Sequence, residues 1–77
     1  MSTIWLLTEQ EDYEQKQIHS VWKNKPSKEQ LITILQTWYG NINYQVVESF
    51  VNHLLLKEEG YFLFTYTWKI EEIVLND

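Results

Sequence analysis

The sequence predicts an α+β fold: an antiparallel sheet of three or four strands with two helices packed on one face, in the order β-β-α-α-β(-β). Three observations carry that expectation. Residues 61–70 alternate with period two, two internal stretches repeat apolar residues at helical spacing between caps, and the chain opens on a short β-branched and aromatic run.

Residues 3–8 are apolar on both faces, Ile4 and Leu6 on one and Trp5 and Leu7 on the other, so they read as a strand covered on both sides, as a central strand is. A polar connection over 9–16 follows. Residues 18–23 are the second strand, with Ile18, Ser20 and Trp22 on one face and His19, Val21 and Lys23 on the other, and the two strands make an antiparallel hairpin. Ser27 is a good N-cap, with Gln30 three residues later where a capping box needs it. Leu31, Ile34, Leu35 and Trp38 then share one helical face, and Gly40 closes the helix.

A second helix is expected from about Asn43, because Val47, Phe50, Val51 and Leu54 repeat the spacing. Lys57 suits its last turn and Gly60 lies just beyond. From Tyr61, the residues Phe62, Phe64, Tyr66, Trp68 and Ile70 share one face, read as core facing the helices, while Leu63, Thr65, Thr67 and Lys69 share the other. Glu71 and Glu72 interrupt the alternation, and residues 73–75 either continue the strand or add a short one.

At 77 residues there is room for a single domain with one core. So short a chain buries only about 60% of the surface that its unfolded form exposes. No cysteine is present, which excludes a disulfide frame, a thiolate metal site and a thiol nucleophile. Aromatic mass stands in their place: four Trp, five Tyr and three Phe, each contributing roughly 1.5–3 kcal/mol when fully buried. The first residues lack the pattern of a signal peptide and no apolar run approaches a membrane span, so a cytoplasmic protein without membrane contact is expected. Alanine and arginine are absent too, which suits an AT-rich gene.

The hairpin with Ile4-Trp5-Leu6-Leu7 and Glu11-Asp12-Tyr13-Glu14-Gln15-Lys16, followed by Pro26-Ser27-Lys28-Glu29-Gln30-Leu31, resembles small uncharacterised bacterial and phage proteins. The resemblance covers about the first half of the chain. It implies a phage-like setting and transfers no catalytic residue.

Charge argues against direct nucleic-acid binding. Six Lys face eleven Asp and Glu, a net charge of −5, whereas affinity for a polyanion comes largely from counterion release by cations. Without arginine the commonest bidentate contact to guanine is missing as well. Lys16, Lys23, Lys25 and Lys28 form the only basic cluster, and it reads as solvated surface. His19 and His53 lie in different elements and match no metal motif, so neither a metal nor another cofactor is expected. Glu14-Gln15-Lys16 with Asp12 matches half of a nuclease motif, in a chain too small for the sheet such a site needs. Both glycines are used at helix ends, leaving no phosphate loop, and Glu71 and Glu72 point to opposite faces of a strand, so an enzyme is not expected.

What remains is the acidic stretch Glu9, Glu11, Asp12, Glu14 around Tyr13, with Glu71 and Glu72 as extensions if the sheet brings them near. It serves solubility in any case. It also forms a negative patch with an aromatic centre, able to dock on a basic protein surface. The expectation is a non-enzymatic protein-binding module, in its most specific form a phage or mobile-element inhibitor blocking the basic nucleic-acid-binding groove of a host enzyme. Two alternatives stand beside it. One is an assembly protein acting through an apolar sheet face and the other a single-stranded nucleic-acid binder using the strand aromatics. The binding module itself is expected to self-associate as a homodimer by sheet face or edge strand.

Overall fold

The computed structural model describes residues 2–40, 42–62 and 66–76. Its elements are β1 (Ser2–Glu11), β2 (Gln17–Trp22), α1 (Lys28–Tyr39), α2 (Tyr44–Lys57), β3 (Glu59–Phe62) and β4 (Tyr66–Leu75). The strands form one antiparallel sheet in the order β2-β1-β4-β3. Expected and observed architecture agree, including the interior place of β1: it pairs with β4 from Ser2↔Leu75 to Glu11↔Tyr66 and with β2 on its other side.

Alternation divides the sheet into two faces. Leu7, Phe62, Trp68 and Ile70 turn to the helices and pack with Leu31, Ile32 and Leu35 of α1 and Val47, Val51 and Leu54 of α2 in one core. Trp68 is fully buried at its centre, and its indole Nε1–H donates to the Tyr39 hydroxyl at 2.7 Å. On the opposite face, Ile4, Leu6, Val21, Ile73 and Leu75 lie toward one end with Glu71 directly across from Leu6, and Thr8, Ile18 and Lys69 lie toward the other.

The capping box of α1 is as the sequence indicates: Ser27 Oγ accepts from the Gln30 amide at 3.2 Å, and the Ser27 amide donates to Gln30 Oε1 at 2.8 Å. Gly40, at φ 71°, ends the helix with its amide bonded to the Gln36 carbonyl. For α2 the cap is Asn43, whose Oδ1 accepts from the Gln45 amide at 2.8 Å.

Three local expectations are corrected. First, Gly60 does not close α2. Glu58 does so in the left-handed region at φ 65°, its amide bonded to Leu54, while Gly60 lies within β3 opposite Trp68. A Cβ at position 60 would stand 2.6 Å from Phe50 Cε1, so the glycine serves close packing of α2 on the sheet.

Second, the long alternating run is two strands. Phe62 pairs with Tyr66 and Tyr61 with Thr67, so β3 and β4 lie antiparallel side by side. Phase is kept between the two strands because paired residues face the same side, and the sequence between them holds no Gly or Pro. Leu63, Phe64 and Thr65 lie outside the described residues. β4 then runs on through Glu71 and Glu72 to Leu75.

Third, a bulge breaks the phase of β2. Leu7 pairs with Ser20 but Thr8 with Ile18, which leaves His19 as the extra residue. Ser20 and Trp22 stay on the helix side, whereas Ile18 is left exposed and the His19 ring turns in against Trp38 at 5.0 Å and Trp68 at 5.6 Å.

Candidate functional site

The helix-facing phase of β1 does not stop where the core stops. Leu7, Glu9 and Glu11 follow one another on one face, opposite Ile70, Trp68 and Tyr66. Two carboxylates are thus carried along the row that builds the core. Beyond β1 the chain turns tightly: the Glu14 amide donates to the Glu11 carbonyl at 2.9 Å, Tyr13 adopts φ 67°, and Gln10 Nε2 holds the Glu14 carbonyl at 3.1 Å. That turn brings Glu14 back over the same end of the sheet.

The result is a cavity of about 210 Å³ with an acidic and an aromatic wall. Glu9, Glu11 and Glu14 form the first, Trp38 and Tyr66 the second, and Gln15 and Gln17 complete it. Trp38 comes from the last turns of α1 and is about half exposed, its ring set edgewise on Trp68.

Glu9 is the unusual member. It is 7% exposed, yet among the described residues no hydrogen bond reaches its carboxylate and no cation lies within ion-pair distance. Burial raises its pKa above the ordinary carboxylate value, and the neighbouring Glu11 charge adds to the rise, while His19 opposes it. His19 is itself held beside Ser20, with Nδ1 and Oγ 2.9 Å apart. Under the pocket floor the Tyr39 hydroxyl is pushed up to about 12, first by burial, against the lowering effect of the Trp68 hydrogen bond, with Tyr66 and Glu9 adding to the rise. Tyr39 therefore stays a neutral phenol.

The other residues singled out in the sequence go elsewhere. Asp12 Oδ2 accepts from the Tyr61 hydroxyl at 2.7 Å, tying the hairpin tip to β3 and raising the Tyr61 pKa. Tyr13 projects fully into solvent between Asp12 and Glu14. Glu71 does not extend the patch: it sits on the open sheet face, where Lys16 hydrogen-bonds it and Lys69 lies 3.6 Å away, and the Lys16 hydrogen bond chiefly holds its pKa below the usual range. Glu72 pairs with Trp5, roughly 13 Å along the sheet from Glu9 at about 3.3 Å per residue.

The half nuclease motif is dispersed by the same geometry, with Glu14 at the pocket, Lys16 on Glu71 and Asp12 on Tyr61. Among the described residues no group of three or more His, Asp or Glu is placed to hold a metal ion, and no helix is long and apolar enough to cross a membrane. The basic cluster is largely neutralised: Lys28 pairs with Glu48 at 3.0 Å, and Lys25 approaches Glu58 at 3.9 Å and the Trp5 ring at 5.4 Å.

Sequence reasoning missed Trp38, Tyr66, His19 and Gln17 as neighbours of the acids. One signal was available, namely that Glu9 and Glu11 share the parity of Leu7 and so must face the helices. Neither protein-family models nor curated proteins nor solved structures gave a match to this chain.

Proposed function

We propose that this chain is a small non-enzymatic protein-binding module whose acidic hairpin end docks on a basic protein surface. The observation that carries the reading is the gathering of Glu9, Glu11 and Glu14 at one end of the sheet beside the projecting Tyr13, with Lys16, Lys25 and Lys28 paired to carboxylates elsewhere. A field of one sign at one end steers encounter with a cationic partner and disfavours nucleic acid. Burial of Phe62 and Trp68 points the same way, since those rings offer no face for a base to stack on.

In its most specific form the module is a phage or mobile-element inhibitor. It would act in the host cytoplasm by occupying the basic nucleic-acid-binding groove of a host enzyme. Affinity capture from the native host, with the wild type and with a Glu11→Lys, Asp12→Lys, Glu14→Lys variant, tests this. The wild type should retain a nucleic-acid-binding protein in a salt-sensitive manner and the variant should lose it. Equal capture by both, or tight salt-sensitive binding of DNA or RNA by the purified protein, would overturn the reading.

A second reading has its own observation. Val21 is 55% exposed, and with Ile4, Leu6, Ile73 and Leu75 it makes one end of the open sheet face apolar. An assembly protein or homodimer joined through that face fits it. Light scattering of Val21→Lys decides: a dimer that becomes a monomer supports this reading, and a wild-type monomer removes it.

A further inference from the structure

We propose that the pocket at the hairpin end is a receptor for one arginine side chain of the protein partner, its guanidinium held by Glu9, Glu11 and Glu14 and flanked by Trp38 and Tyr66. The inference rests on the protein-binding reading above and names what that surface recognises.

The starting observation is Glu9. It is 7% exposed as a residue and lines the pocket, and among the described residues its carboxylate has neither a hydrogen bond nor a cation at ion-pair distance. It therefore carries an unmet demand for a cation or for donors, because drawing a charge even partly out of water is unfavourable unless something replaces the water. What exposure it keeps is toward the pocket. Size and lining narrow the ligand. A cavity of about 210 Å³ is far larger than a bare ion fills, and no metal-holding cluster is present among the described residues. Three carboxylates exclude an anion. The aromatic rings of Trp38 and Tyr66 in the same lining suit a cation that is flat and weakly hydrated.

Guanidinium fits each condition better than ammonium. Its planar fork donates to two carboxylate oxygens at once, and it stacks on rings. It also surrenders less hydration than a compact ammonium on entering a half-closed site. The chain's own composition makes the ligand external: it contains no arginine, and Lys16, the lysine nearest the acids in sequence, crosses to Glu71 on the other sheet face. Among the described residues the His19 ring alone opposes the Glu9 charge, and no lysine lies within ion-pair distance of it.

The test is a titration of the full chain with N-acetyl-arginine amide, N-acetyl-lysine amide and the neutral isostere N-acetyl-citrulline amide, followed through the indole N–H signals in 1H–15N spectra. Arginine should shift the Trp38 signal saturably while Trp5 and Trp22 stay in place, lysine should bind at least several-fold more weakly, and citrulline should give no saturable shift. Glu9→Gln, which keeps the side-chain shape, should weaken arginine binding at least tenfold, and Glu71→Gln should leave it unchanged. An unperturbed Trp68 indole signal in each variant shows that the core is intact. Equal shifts from arginine and citrulline, equal affinity for lysine, or undiminished binding by Glu9→Gln would overturn the proposal. Loss of partner capture by the charge-reversed variant without any arginine titration would also overturn it, and would leave the acidic docking reading standing.

Discussion

Glu9 lies directly across the β1–β4 ladder from Trp68, so a carboxylate with no hydrogen bond or ion pair among the described residues and the largest side chain of the core share one face of the sheet. Protonation of Glu9 should therefore be linked to stability. Its folded pKa is raised above 4.5, so the native state binds its proton more tightly than the unfolded chain does; stability is highest below 4.5 and falls as pH rises through the folded value. Relative to wild type, Glu9→Gln should be more stable at neutral pH, by about 1 kcal/mol. The difference should vanish as pH drops below 4.5. Urea denaturation at neutral pH and at acid pH measures it.

Glu71 should behave in the opposite sense. Lys16 holds its pKa below 4.5, so its contribution is present above that value and is lost as pH falls through the folded pKa. Both partners are partly exposed, which limits the pair to about 0–1 kcal/mol. Glu71→Gln should thus lower stability slightly at neutral pH and converge with wild type in acid, the reverse of Glu9→Gln in the same assay.

Trp68 anchors sheet and helices together. Trp68→Ala empties the centre of the core and leaves the Tyr39 hydroxyl without its donor, a loss of roughly 3–5 kcal/mol. In a domain of this size such a loss approaches the whole stability. Thermal unfolding by circular dichroism should show little or no cooperative transition, whereas Trp68→Phe should keep one at reduced temperature.

The two glycines should fail for different reasons. Gly60→Ala drives a methyl into the Phe50 ring and should lose about 1–3 kcal/mol by overpacking. Gly40→Ala meets no atom within 4 Å but must hold φ 71° and ψ −119°, a region outside the left-handed helical well that glycine alone adopts readily, at about 1–3 kcal/mol. Raising position 50 to a smaller residue separates them: Phe50→Leu should reduce the additional loss from Gly60→Ala and leave that from Gly40→Ala unchanged, read by a double-mutant cycle.

Much of the fold was legible in the sequence because its signals are local. Ser27 and Gln30 state the start of α1, and the double-sided apolar run Ile4-Trp5-Leu6-Leu7 states an interior strand. The division into β3 and β4 was not legible, since alternation runs unbroken across 61–70 with no Gly or Pro and so looks like one long strand. Nor was the inward turn of His19, which depends on where β2 registers on β1. The acids Glu9, Glu11 and Glu14 were visible as a group. Their aromatic wall was not, because Trp38 arrives from α1 and Tyr66 from β4, and only the packed structure brings them to the same cavity.

Glu9→Gln gives the most direct test when two quantities are measured on the same sample: unfolding temperature of the free protein, and affinity for the basic partner or for an arginine probe. A carboxylate kept buried for a cation supplied from outside should give opposite signs, with a higher unfolding temperature and weaker binding. A variant that loses stability while binding as well as the wild type would contradict that role.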